Sequence, residues 1–261
     1  MIDMLDKIVV KTEERLIEAK TNKSLDQLKE EVSKLDISDE FPFKEALRGP
    51  EIAIIAEVKK ASPSKGLIAE DFDYIKIAKE YEQAGASAIS VLTEPYFFKG
   101  SNDYLKEIDE NVNIPILRKD FTIDEYMIYE AKTLGASAIL LIVSILDDAQ
   151  LKEYLELAHD LGLSAIVETH DANEIKTAID AGAEIIGVNN RNLADFTVDI
   201  NNSVNLRRLV SDDILFISES GIKTAEDVRR LKENNVDAVL IGETLMKSDD
   251  KEAMILELKN A

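Results

Sequence analysis

Cysteine is missing from the 261-residue chain, and histidine occurs only twice. Without cysteine there are no disulfides, no thiolate metal sites and no cysteine nucleophile, which fits a reducing compartment. His159 lies in a helical pattern and His170 just past a strand; they form no HExxH motif, so no metal is expected. Positive charge is also scarce. Against 52 Asp and Glu stand 31 Lys and Arg, a net charge of −21, which argues against binding nucleic acid through its phosphates. No G-x-G occurs, so the dinucleotide fingerprint is absent. Long hydrophobic runs are lacking too. The longest apolar stretch, near Ala136–Leu146, is about half the ~18–20 residues of a membrane-spanning helix. The opening MIDMLDKIVVKTEERL lacks the apolar middle of a signal peptide. A cytoplasmic protein with no membrane partner is the expectation.

What is present is enough for a full core: 45% of residues are apolar and 32% charged, so wholesale disorder is excluded. Short Ile- and Val-rich runs recur at 52–58, 88–93, 114–119, 138–143, 164–168, 184–189, 214–219 and 237–242. They are apolar on both faces, as strands covered by helices on both sides should be. Helical periodicity fills 74–85, 124–135, 149–162, 172–182 and 224–235, and Asn201–Asn205 reads as a loop leading into a helix. The phrases AGASAISVL, LGASAILLI and AGAEIIGVN repeat about fifty residues apart, the echo of repeated βα units. Eight strands alternating with helices predict an α/β fold, a (β/α)₈ TIM barrel, with an open doubly wound sheet as the alternative. Residues 1–261 are expected to form a single domain. Within it, residues 1–50 carry two amphipathic helix patterns and a short third helix ended by Gly49-Pro50, a helical extension expected over one end of the barrel.

Barrel sites sit at the carboxyl ends of the strands. Strand 1 ends Glu57-Val58-Lys59, strand 3 Arg118-Lys119-Asp120, strand 5 in Glu168, strand 6 in Asn189 and strand 7 in Glu219-Ser220. Buried charges on one rim are costly unless they pair with each other. SESG (218–221), IGETL (241–245) and KKASPSKG (59–66) add small residues and hydroxyls suited to an anion at a helix start. Each of these alone is an ordinary turn; on strands 7, 8 and 1 they become neighbours.

The stretches IIAEVKKASPSKG, LTEPYFFKGS, IPILRKDF, IGVNNRNL, ISESGI and LIGETLM stand in the order found in the indole-3-glycerol-phosphate synthase family of tryptophan biosynthesis, which the chain resembles from about residue 5 to 246. The resemblance implies a carboxy-lyase that closes 1-(2-carboxyphenylamino)-1-deoxyribulose 5-phosphate to an indole with loss of CO₂ and water. It implies catalytic roles for Glu57, Lys59, Lys119, Glu168, Asn189 and Ser220. Arg191 would face the substrate carboxylate, and Phe98, Phe121, Leu140 and Leu193 would line the aryl slot. Ser62, Glu219, Gly221, Gly242 and Glu243 would bind substrate, with Ser62, Gly221, Gly242 and Glu243 at the phosphate and the Glu243 side chain turned away. Asn190 and Glu243-Thr244 stand where some members carry smaller residues.

The residue types suit this chemistry. Ring closure needs a proton donor at the ketone oxygen, and a lysine with a lowered pKa, Lys119, fits. Dehydration needs a second acid and a base, supplied by Lys59 with either Glu168 or Glu57. No step requires a redox cofactor, a Schiff base or a metal, so no cofactor is expected. The expected partner is a small phosphorylated substrate; a monomer is expected, with an oligomer left open. A related isomerase barrel is the rival enzyme, but it uses a cysteine base at strand 1. A sugar-phosphate binding protein is the rival from another class.

Overall fold

The structure, a computed structural model, describes residues 4–192 and 196–261. Its strands are β1 (Ala53–Val58), β2 (Ala88–Leu92), β3 (Ile116–Lys119), β4 (Ala138–Ile142), β5 (Ser164–Thr169), β6 (Ile185–Asn189), β7 (Leu215–Glu219) and β8 (Ala238–Ile241). Each pairs in parallel with the next, and β8 returns to β1 with Ala53 opposite Ala238 and Ile55 opposite Leu240, closing a barrel. All eight expected strands are present. β3 starts two residues later than its apolar run because Pro115 has no N–H to give to the ladder.

Period-two alternation divides the core. Ile55, Leu117, Leu140, Ile166, Ile217 and Leu240 fill the barrel interior, while Ile54, Ile89, Ile116, Val167, Ile186 and Val239 pack outward under the helices. Each such side chain contributes roughly 1.5–3 kcal/mol when fully buried. The five helices foreseen from periodicity are Tyr74–Gln83, Glu125–Thr133, Asp148–Asp160, Ala172–Ala181 and Ala225–Glu233. Their orphan amino-terminal N–H groups are met by the side chains of Asp73, Asp124, Asp147, Asp171 and Thr224. Further helices cover Asn102–Asp109, Glu243–Lys247 and Lys251–Lys259. Among the described residues, no helix is long and apolar enough to cross a membrane.

Two expectations are corrected. Asn201–Asn205 is not a loop but the body of a helix, Asn201–Arg207. Ser203 there is fully buried, its N–H and hydroxyl both donating to Asn190 Oδ1, so tertiary hydrogen bonds override the weak helix propensity of asparagine. The amino-terminal extension, expected at one end, occupies both. It comprises α1 (Met4–Asn22), α2 (Leu25–Val32) and α3 (Pro42–Ala46). Phe43 and Leu47 plug the barrel interior from its amino-terminal end. α2 packs along the helix Glu125–Thr133, and Met4, Leu5 and Ile8 of α1 reach the opposite mouth.

Candidate active site

A cavity of about 600 Å³ opens at the carboxyl ends of the strands. Every site residue expected from the sequence lines it except Leu193, which lies outside the described residues. Strand alternation puts Glu57 and Lys59 on one inward face of β1 and its continuation, and Lys59 Nζ donates to Glu57 Oε1 at 2.5 Å. Gly242, at the end of β8, makes room for this pair, since a Cβ there would collide with the Glu57 carboxylate. Lys119 closes a second cluster. Its Nζ donates to Glu168 Oε2 at 2.9 Å and Glu219 Oε2 at 2.7 Å, and Asn189 Nδ2 donates to Glu168 Oε1 at 3.1 Å. Gly187 leaves space for Glu219, whose Oε1 a Cβ would strike. Arg118 departs from the expected rim. Alternation turns it outward, where it donates to Thr93, Met127, Asn102 and Glu130 beneath the helices.

Burial and charge act in opposition on the second cluster. Burial disfavours the Lys119 ammonium, but the negative charges of Glu168, Glu219 and Glu57 outweigh it and raise its pKa. That corrects the expected lowered pKa: carboxylates surround this lysine, not cations or apolar walls. For Glu168, burial pushes the pKa up, yet Lys119 and His170 pull it below the ordinary value. For Glu219, burial leads and the Glu168 charge adds to it; Lys119 offsets them only in part, so the carboxyl is pushed up to about 7. Two carboxylates share one ammonium, and Glu219 is the one that takes a proton more readily.

The remaining wall is apolar on one side and polar on the other. Phe98 and Phe121 lie with ring centroids 6.0 Å apart, near Leu140. Glu94 holds the loop before Phe98 by accepting the N–H groups of Tyr96, Phe97 and Phe98. Arg191 lines the opening; its backbone N–H donates to Asn189 Oδ1 at 3.0 Å, and its guanidinium reaches the Phe196 carbonyl at 3.4 Å. Ser220 and Gly221 are consecutive left-handed residues, and Asn190 donates to the Ser220 carbonyl at 3.0 Å, bracing that strained turn. Gly242 precedes the helix Glu243–Lys247, whose first N–H groups have no intrahelical partner. The Glu243 side chain turns to Lys247, at 2.7 Å, and toward Lys65, at 3.7 Å. Ser62 belongs to a small antiparallel ribbon, Ala61–Ser62 with Gly66–Leu67, that no sequence pattern announced.

Sequence reasoning missed the brace beneath the site. Arg15 of α1 donates to both oxygens of fully buried Asp120, at 2.9 and 2.8 Å. Asp120 also accepts the Thr93 hydroxyl at 2.5 Å and the Phe121 N–H at 2.8 Å. A signal was present: Ile8, Thr12 and Arg15 share one face at helical spacing, and the first two are buried.

A family model described as Indole-3-glycerol phosphate synthase matches residues 5–258. The Indole-3-glycerol phosphate synthase of Ruminiclostridium cellulolyticum is 55% identical over 258 residues, covering 99% of both chains. That of Endomicrobium trichonymphae is 56% identical over 257 residues, covering 98% of this chain and 100% of its own. Among solved structures, 3-hexulose-6-phosphate synthase superposes with a TM-score of 0.65 at 13% identity, over 80% of this chain and 99% of that one. Thiamine phosphate pyrophosphorylase from Pyrococcus furiosus gives 0.61 at 16%, over 82% and 96%. These two likenesses speak for the barrel alone. The family match spans the strand ends that build the cavity, and the chain belongs to the indole-3-glycerol phosphate synthase family.

Proposed function

We propose that this cavity closes an indole ring on 1-(2-carboxyphenylamino)-1-deoxyribulose 5-phosphate, releasing CO₂ and water, with Lys119 as the first acid. The observation that carries the reading is the Lys119 ammonium held between Glu168 and Glu219 in a cavity that also contains the aromatic pair Phe98 and Phe121. The substrate's aryl ring lies against that pair and Leu140, folded back toward the ketone, which lowers the entropy barrier to C–C bond formation. As the ring carbon attacks, the ketone oxygen becomes an alkoxide, far more basic than an amine. A raised Lys119 pKa therefore still permits transfer and keeps the ammonium loaded beforehand. Loss of CO₂ restores the aromatic ring. Lys59, paired with Glu57, then protonates the hydroxyl that departs as water, and a carboxylate of the same cavity takes the proton from the methylene carbon next to nitrogen. The phosphate lies near Ser62, at the turn Ser220-Gly221 and at Gly242-Glu243. The extension and barrel act as one domain, 1–261, because α1 supplies part of the cavity wall and α3 plugs the barrel interior from its other end.

The direct test is to add the substrate to the protein and follow indole fluorescence together with CO₂; absence of both refutes the reading. Arg191 supplies a narrower check. If its guanidinium meets the substrate carboxylate, Arg191→Ala weakens binding by roughly 1.5–3 kcal/mol, the scale of a charge-assisted hydrogen bond. Unchanged affinity for a non-reacting substrate analogue in titration calorimetry removes Arg191 from that role.

A further inference from the structure

The ring closure consumes one proton per turnover. The substrate carboxylate leaves as neutral CO₂, and the ketone oxygen leaves as water after gaining two protons. The methylene carbon returns one of them, so the other comes from solvent. Lys119, which gives up the first proton, is held between two enclosed carboxylates: Glu168 is 4% and Glu219 2% exposed.

His170 lies between enclosed Glu168 and the partly exposed Glu174. It follows β5 directly, and its Nε2 is buried, without a hydrogen-bond partner, 3.6 Å from Glu168 Oε1. Its Nδ1 lies 3.1 Å from Glu174 Oε2, and both side chains are about one-fifth exposed. Ionised carboxylates only accept hydrogen bonds, so each ring nitrogen faces an acceptor and the ring is suited to hold a proton on both. Burial opposes that charge, but the hydrogen bond to Glu174 and the charges of Glu168, Glu174 and Glu219 raise the His170 pKa above 6.5. From the helix Asn201–Arg207, Asn202 donates to the His170 carbonyl at 3.1 Å, which fixes the backbone that carries the ring.

The geometry points to His170 as the conduit that carries the consumed proton from Glu174 at the surface to Glu168 and on to Lys119. It rests on the ring-closing reading above. In the transfer the His170 Nε2–H bond breaks as a Glu168 O–H bond forms, and that O–H proton passes to the neutral Lys119 amine. A half-turn about χ2, a broad two-fold torsion in histidine, moves the bare Nε2 into the place that Cε1 held, nearer Glu174, where solvent restores its proton. His170 is a positioning residue; it acts through Glu168 and does not touch substrate.

His170→Gln separates this role from a structural one. A loaded active site needs no resupply for its first cycle. The variant therefore completes a single turnover at the wild-type rate, while its steady-state rate falls roughly tenfold or more. Added imidazole restores the steady state in the variant and leaves the wild type unchanged. Glu174→Gln, on an accessible helix face, shows the same split to a smaller degree and serves if His170→Gln does not fold. The proposal is overturned if the steady state is unchanged, if the first turnover slows by the same factor, or if imidazole gives no recovery. A wild-type protein that makes no indole refutes the underlying reading instead.

Discussion

Indole formation slows by at least about a hundredfold when Lys119 is replaced by methionine, and no cyclised intermediate accumulates. General acid catalysis is worth about 10²–10⁴-fold, or ~3–5 kcal/mol of barrier, and the loss falls on the first chemical step. Methionine keeps most of the stem's volume but removes the one ammonium that Glu168 and Glu219 share. Removing one partner of a buried pair costs about 3–5 kcal/mol, so the variant is also less stable, and Glu219, already pushed up to about 7, takes a proton more readily. Lys119→Met combined with Glu219→Gln recovers part of the stability and none of the rate, which separates the acid from the counter-charge. Single-turnover release of CO₂ decides the assignment. Release at the wild-type rate in Lys119→Met means that another group is the first acid. Lys59→Met behaves differently: it releases CO₂ ahead of indole, because its duty falls after decarboxylation, in the loss of water.

The second large effect is on stability. Asp120→Ala removes the acceptor of four hydrogen bonds, two of which tie α1 to the barrel, and leaves Arg118, 3% exposed, with one fewer counter-charge. The expected cost is about 3–5 kcal/mol, read as a lower urea midpoint by circular dichroism. The pH dependence has a definite sign. Burial raises the Asp120 pKa, but Arg15 by charge and hydrogen bond, then Arg118 and Thr93, bring it below 3.8. A carboxyl lowered in the folded state contributes stability that is fully present above its unfolded pKa, near 3.8. That stability is lost as pH falls through the lower, folded value. The wild type thus loses this contribution in acid, while Asp120→Ala has none to lose, and the two midpoints converge below pH about 4. A constant gap down to the acid limit would falsify the ionic account of this brace.

Much of the molecule was legible because periodicity is local. The eight apolar runs could be read as strands because most residues buried on either face of a barrel strand are apolar. The glycines at 85, 135, 162 and 182 ended helices because left-handed caps admit little else. The alternation Glu57-Val58-Lys59 even located one acid–base pair, since residues two apart share a face. By itself, then, the sequence determined the barrel, the rim on which the site lies and the residue types available there. Only the tertiary structure decided how charges from different strands are shared. Lys119 and Glu219 are 100 residues apart, and no local pattern shows that one ammonium serves two carboxylates. The same holds for Arg15 on Asp120, for Ser203 drawing asparagines into a helix, and for His170 behind Glu168. Coulomb energies and desolvation depend on distance and enclosure, which chain order does not contain, so the charge state of the site belongs to the packed barrel.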